Sequence, residues 1–132
     1  MTNTQRLWAS GLIAVVLLMN LQCAVAFLIR PGAYAPGFEL QGEVGEAVIR
    51  SLGVLFVMWN IPYGVALWNP VRHRLAIYEA LGMQATGLIG ETLIYALLPA
   101  MHIVARGSIL RFIVFDGLGL LALATATWLS RK

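Results

Sequence analysis

Four ionisable residues interrupt the apolar segments of this chain at similar depths: Arg50, Glu91, Arg111 and Asp116. At the helical rise, Glu91 and Asp116 fall about 10 to 12 Å inside the ends of their segments. A lone charge inside a membrane span costs at least ~2.5 kcal/mol on insertion scales, so each carboxylate must be protonated, paired or in a wet cavity. A buried carboxyl group can act as a general acid or base. Glu91 and Asp116 are therefore the candidate catalytic residues.

Pairing with arginine is one way to stabilise such carboxylates. We expect Arg50 to pair with Glu91, and Arg111 or Arg106 to pair with Asp116. Other polar residues recur at steps of three and four along the same segments, which predicts a polar stripe facing inward. Trp59 lies beside the kink expected in the second helix, and His102 lies near the mouth of the predicted site, beside Arg106. The candidate ligand-binding residues are Arg50, Trp59, Asn60, Gln84, Glu91, Tyr95, His102, Arg111 and Asp116.

The sequence contains no pattern typical of a metal site or of nucleophilic catalysis. There is no His-x-x-x-His or Glu-x-x-His pair, and the single cysteine, Cys23, excludes an intrachain disulfide and any multi-cysteine metal site. Ser51 and Ser108 lack a Gly-x-Ser-x-Gly context. No metal is therefore predicted, and no cofactor is indicated.

The composition of the chain predicts the kind of fold that positions these residues. The chain has 132 residues, of which 60% are hydrophobic and 11% are charged, whereas soluble domains average about 25% charged residues. A chain of this length holds four spans of roughly 20 residues. We predict an all-α, integral membrane four-helix bundle that forms one domain over residues 1–132. The predicted helices cover about 7–29, 47–68, 75–98 and 108–129, with an ordered interfacial loop over 30–46 and a kink or break at Pro62.

The positions of the cations predict the orientation. Arg6, Arg72, Arg74, Arg131 and Lys132 flank one side of the predicted spans with no acidic neighbour in the flanking segments, whereas Arg30, Glu39, Glu43, Glu46 and Arg106 lie on the other. The positive-inside rule therefore places both termini in the cytoplasm. The first apolar segment also has the small-x-small pattern of a signal-peptide cleavage site at Ala24 and Ala26. Because the segment is long enough to span, we expect an uncleaved helix.

Four helices in about 130 residues, a Pro/Gly loop after the first helix, and the stretch Glu46 to Gly53 that opens the second resemble the DoxX-like group of small bacterial membrane proteins. The Arg50-x-x-Gly53 element is the most family-like part. The resemblance implies a four-helix bundle in the bacterial inner membrane, with an accessory role in membrane redox or small-molecule handling. It supplies no catalytic residues.

Three classes of function fit the sequence. The first is a bundle that binds a lipid or lipophilic small molecule, which the shared depth of the polar residues favours. The second is a membrane-embedded enzyme that uses Glu91 or Asp116 as a general acid or base. The third is a structural subunit of a homo-oligomer or larger membrane complex. We predict that the protein lies in the lipid bilayer. We predict no binding to nucleic acid, because the sequence lacks a run of basic residues with interleaved aromatic residues.

Overall fold

The computed structural model describes residues 2–131, and all regular elements in this range are helical. Their bounds are α1 Asn3–Ile29, α2 Pro31–Tyr34, a 3-10 helix Ala35–Phe38, α3 Gly42–Trp59, α4 Ile61–Trp68, α5 Arg74–Leu97 and α6 Ile103–Arg131. The prediction of an all-α protein is confirmed. Met1 and Lys132 lie outside the described residues, and with them one of the cations that predict the orientation.

The segment predicted as a loop over 30–46 is mostly helical. Pro31 starts α2, where its missing N–H has no helical partner to lose. Glu39 then adopts a left-handed conformation with φ of 58°, which ends the 3-10 helix. Gly42, with φ of 67°, begins α3 earlier than predicted, so the last residues of the predicted loop belong to a helix.

The predicted break at Pro62 is confirmed. Helix α3 ends at Trp59 and α4 starts at Ile61, with Asn60 between them. Pro62 lies in the first turn of α4, where it can be accommodated, but its ring cannot follow an uninterrupted helical turn. The break is short, because the Asn60 N–H still reaches the Phe56 and Val57 carbonyls at 3.2 and 3.1 Å.

Within residues 2–131, three helical stretches are long and apolar enough to cross a membrane: Asn3–Ile29, Gly42–Trp68 and Ile103–Arg131. Helix α5 is not among them, although its 24 residues are enough to cross a bilayer. Gln84 and Glu91 lower its mean hydropathy. Large apolar side chains are exposed on all the long helices, including Leu18 at 64%, Leu93 at 58% and Leu118 at 64%. Such surfaces are stable when lipid or protein covers them.

The helices pack through two apolar clusters. One, the terminal cluster, joins α1, α4, α5 and α6 near both ends of the chain and includes Ile13, Ile77 and Leu123. The Arg74 guanidinium also donates to the Ser130 carbonyl there, which ties the start of α5 to the end of α6. The other, the distal cluster, is built on Phe27, Ala35 and Ile49. The two clusters hold the helices together at opposite ends.

Small residues set the distance between helices. Gly53 of α3 lies against α1, where a Cβ atom would come within 3.0 Å of the Ala24 carbonyl oxygen and of Leu28 Cγ. Ala9, Ala66, Ala80 and Ala126 are buried in the terminal cluster. Helices that share a lipid environment gain little from apolar burial alone, so close backbone approach is a main source of their attraction.

Candidate functional site

A cavity of about 630 Å³ lies between the long helices, and α1, α3, α4, α5 and α6 all contribute to its wall. Helix α3 packs on α1, and α5 packs on α6 and α4, but α3 and α5 do not pack extensively on each other. Trp59 on α3 and Ile94 on α5 line the cavity and are 43% and 52% exposed. The cavity therefore opens sideways between α3 and α5.

A chain of hydrogen bonds crosses one end of the cavity and connects three helices. The Tyr63 hydroxyl of α4 donates to Gln84 Oε1 of α5 at 2.6 Å, and Gln84 Nε2 donates to Asp116 Oδ1 of α6 at 2.9 Å. Asn20 of α1 lies near the Tyr63 hydroxyl and also lines the cavity. Tyr63 and Gln84 are only 2% and 3% exposed. Buried polar groups linked in this way fix the relative positions of the helices that carry them.

Two glycines make room for this chain. A Cβ atom on Gly119 would lie 2.5 Å from Gln84 Nε2, and a Cβ on Gly87 would collide with Asp116 Oδ2. Neither glycine has an unusual backbone conformation, since only Gly42 among the described glycines has a positive φ. Their role is therefore spatial, because they let polar side chains lie directly against a neighbouring helix.

Asn60, at the break between α3 and α4, lines the cavity with an unsatisfied acceptor. Its side chain donates from Nδ2 to the Phe56 carbonyl at 2.5 Å, which fixes the orientation of the amide. Its Oδ1 is buried and has no hydrogen-bond partner among the described residues. The whole residue is 5% exposed. A buried acceptor without a donor loses about 1 to 3 kcal/mol, which a bound donor group would recover.

The predicted ion pairs with the two carboxylates do not form. Glu91 lines the cavity and makes no hydrogen bond or ion pair with any described residue. Asp116 is bound by Gln84 rather than by an arginine. Arg111 lies at the cavity wall, where its guanidinium donates to Ser108 Oγ at 3.0 Å. The two carboxylates are close enough to interact electrostatically.

Three of the predicted ligand-binding residues lie outside the cavity wall. Arg50 is exposed and pairs with Glu46, one turn earlier on α3, at 3.5 Å, so the expected Arg50 pair with Glu91 is wrong. Tyr95 lies under the guanidinium of Arg106, whose carbon is 4.0 Å from the ring centroid. Arg106 also donates to the Tyr95 and Leu98 carbonyls, so it closes the end of α5 and does not pair with Asp116.

His102, the third of these residues, fastens the segment between α1 and α3 to the start of α6. Its Nδ1 lies 2.6 Å from Glu39 Oε2, and the Ala105 N–H donates to Glu39 Oε1 at 3.3 Å. Ser108 Oγ donates to the Gly37 carbonyl at 2.6 Å. These contacts hold Tyr34 and Phe38, which line the cavity, over its distal side.

The contacts of Glu39 with His102 and Ala105 are expected to depend on pH. The hydrogen bond from His102 holds the pKa of Glu39 below its ordinary value. Since the folded pKa is below the unfolded one, the stabilisation is complete above the ordinary pKa of glutamate and is lost as the pH falls through the lowered value. We expect hydrogen exchange of residues 30–41 by mass spectrometry, corrected for intrinsic rates, to stay slow from pH 7 to about pH 5 and to accelerate below about pH 4.

The variant Glu39→Gln should show the fast exchange already at pH 7, because the amide cannot replace the charged acceptor. Glu43→Gln, which removes an exposed carboxylate in the first turn of α3, is the matched control and should follow the wild type. Slow exchange in Glu39→Gln at pH 7 would contradict a role for the carboxylate in holding this segment.

Six of the predicted ligand-binding residues do line the cavity: Trp59, Asn60, Gln84, Glu91, Arg111 and Asp116. Tyr63 and Asn20 were not predicted. Tyr63 stands three residues after Asn60 on the polar stripe, and that spacing was the available signal. Asn20 lies in a strongly apolar helix, where an amide is itself an indication of function or packing. Among residues 2–131 no group of three or more His, Cys, Asp or Glu side chains is placed to hold a metal ion.

Comparison with protein-family models, with curated proteins and with solved structures gave no match. The resemblance to the DoxX-like group therefore stays a prediction.

Proposed function

We propose that this protein is a multi-pass membrane protein that binds one lipophilic small molecule or lipid in the cavity between α3 and α5. The observation that carries the proposal is a cavity of about 630 Å³ with the unsatisfied, buried Asn60 Oδ1 in its wall. Ligand pockets usually have volumes of about 300 to 1,000 Å³, with mostly apolar walls and a few polar groups that orient the ligand.

The walls divide into two chemical regions. Met19, Leu52, Leu55, Met83 and Ile94 supply apolar surface. Asn60, Gln84, Glu91 and Asp116 supply polar atoms toward the interior. An amphiphile would place its polar group at the second set and its apolar body against the first.

The proposed route of entry is lateral. In the proposed topology, α1, the pair α3 and α4, α5 and α6 all cross the bilayer, and the opening between α3 and α5 faces the acyl chains. The apolar and polar faces of α5 support this arrangement, since Leu93 is exposed while Gln84 is buried. The basic residues near both ends of the chain support cytoplasmic termini, and the DoxX-like resemblance supports the inner membrane of a bacterium.

Native mass spectrometry of the protein extracted in a mild detergent, with identification of released molecules, tests this proposal. We expect a bound lipophile of defined mass on the wild type. Asn60→Leu should lower its occupancy about tenfold, since one hydrogen bond worth ~1.4 kcal/mol is lost. Thr125→Val, which removes an exposed hydroxyl bonded within α6, should retain the ligand. A folded wild type without bound molecules, even after addition of total membrane lipid, would contradict the proposal.

One observation favours a second function, a membrane-embedded enzyme. Glu91 and Asp116 interact electrostatically in the cavity without an arginine bound to either. Two neighbouring carboxyl groups that share a proton can supply both an acid and a base. Conversion of the bound lipophile by the wild type, and its recovery unchanged from Asp116→Asn, would identify this function.

A further inference from the structure

The polar atoms of the cavity are unequally divided between donors and acceptors. The Tyr63 hydroxyl and the Gln84 amide already donate, to Gln84 and to Asp116 respectively. Three acceptors receive no hydrogen bond from any described residue: Asn60 Oδ1, Asp116 Oδ2 and the Glu91 carboxylate. A ligand that forms hydrogen bonds with these acceptors must carry hydrogen-bond donors.

These acceptors belong to one region of the cavity. Asp116 Oδ2 lies against Gly87, and Glu91 follows Gly87 by one helical turn on the same face of α5. Asn60 precedes Tyr63 by one turn, and Tyr63 is bonded to Gln84, which in turn is bonded to Asp116. Asn60, Glu91 and Asp116, which carry these acceptors, all line the cavity.

Among residues 2–131, no cation forms an ion pair with Glu91 or Asp116. Arg111 lines the same cavity, but its guanidinium donates to Ser108 Oγ and not to either carboxylate. Aromatic rings border the same space. Phe56 lies 6.3 Å from Trp59 and 6.0 Å from Phe112, measured between ring centroids, and all three line the cavity. Faces of aromatic rings attract cations, by about 2 kcal/mol or more where water is excluded.

We infer that the polar group of the ligand is a primary ammonium carried on a lipophilic body. This inference rests on the proposed function. A primary ammonium has three N–H donors for the three acceptor groups, and its charge opposes those of Glu91 and Asp116. A quaternary ammonium would leave Asn60 Oδ1 unpaired, and an anionic head would add a third negative charge to the two carboxylates.

Three probes with the same twelve-carbon chain test the head group: dodecylamine, dodecanol and dodecanoate. Each is titrated over the same range of mole fractions in the bilayer, with the full-length protein in phosphatidylcholine nanodiscs. Cys23 is the single cysteine and lines the cavity, so the rate of its alkylation by N-ethylmaleimide reports occupancy. We expect dodecylamine to protect Cys23 at concentrations at least tenfold lower than the other two probes.

Glu91→Gln should weaken protection by dodecylamine at least tenfold and leave protection by dodecanol unchanged. Glu79→Gln is the matched control, because Glu79 is an exposed carboxylate three turns earlier on α5 and outside the cavity wall. It should behave as the wild type. Unchanged protection by dodecanol also shows that the Glu91 variant is folded.

The outcomes separate this inference from the proposed function. Stronger protection by dodecanol or dodecanoate than by dodecylamine would overturn the inference that the ligand carries a primary ammonium. The proposal that the cavity binds a lipophile would still stand. An amine preference that survives equally in Glu91→Gln and Asp116→Asn would overturn the ammonium inference as well. Protection by none of the three probes overturns both proposals.

Discussion

Replacing Gln84 with leucine is expected to lower the free energy of unfolding by about 3 kcal/mol. Gln84 is 3% exposed and joins the Tyr63 hydroxyl to Asp116. Leucine has a similar volume but no polar atoms, so Asp116 loses its donor and Tyr63 keeps only the Ala80 carbonyl, at 3.2 Å. Each buried group left without a partner costs about 1 to 3 kcal/mol. Denaturation with increasing SDS in mixed micelles, followed by circular dichroism, measures the loss.

Two controls separate the hydrogen bonds from the general effect of a leucine. Gln22→Leu makes the same replacement at an exposed position of α1 and should change stability by less than about 0.5 kcal/mol. Gly119→Ala should displace the Gln84 amide from the other side and destabilise the protein, whereas Gly117→Ala meets its nearest atom, Leu88 Cδ1, at 3.9 Å and should be neutral. Equal stability of Gln84→Leu and Gln22→Leu would show that the hydrogen bonds of Gln84 contribute nothing measurable to the free energy of unfolding.

Gly53→Val is expected to destabilise the protein by about 3 kcal/mol or more through separation of α3 from α1. Even a Cβ atom at this position would lie 3.0 Å from the Ala24 carbonyl oxygen and 3.2 Å from Phe27 Cβ. Neither the backbone nor a Cβ atom can rotate away, so the helices must move apart. Overpacking of a tight contact typically costs about 1 to 3 kcal/mol, and valine adds two further methyl groups.

Gly64→Val is the matched control for this change. Gly64 lies on the exposed side of α4, and a Cβ there would meet no atom within 4 Å. Both variants carry the same small penalty of a β-branched residue in a helix, so their difference isolates the contact with α1. If the two variants unfold at the same SDS fraction, then the close approach of α1 and α3 does not stabilise the protein.

The two changes probe different forces that matter in a lipid environment. Lipid chains are as apolar as leucine, so helices are held together by close packing and by hydrogen bonds between them. Gly53 tests the packing and Gln84 tests the hydrogen bonds. The cavity lies between them and depends on both, since α1 contacts α3 on one side and α6 on the other.

Some properties of the protein follow from its sequence because they depend on local chemistry. Apolar stretches of the required length predict helices, and the four predicted spans are helical except at Asn60 and Leu98. Pro62 predicts a break because the missing N–H and the ring act on the adjacent turn alone. The polar stripe through Asn60 and Gln84 follows from helical periodicity, and both residues are buried.

The pairing of charges was decided by tertiary structure. Sequence predicted that Arg50 would meet Glu91 because both lie in neighbouring apolar segments at similar depth. The packed side of α3 carries Ile49 and Gly53, four residues apart and both buried, and Arg50 lies about 100° around the helix from Ile49. Arg50 is therefore exposed, and Glu46 is its neighbour on the same helix. No local pattern specifies the rotation of α3 about its axis, because it depends on which helix supplies the closest contact.

The cavity also required the tertiary structure. Its opening exists because α3 and α5 are connected through α4, and through α1 and α6, and do not pack extensively on each other. The donor to Asp116 is Gln84, and not an arginine, because Gly119 lets the amide lie against α6. Sequence therefore determined the helices and the kinds of polar groups they carry. Packing between helices decided which of those groups meet, and it left Asn60 Oδ1 without a hydrogen-bond partner among the described residues.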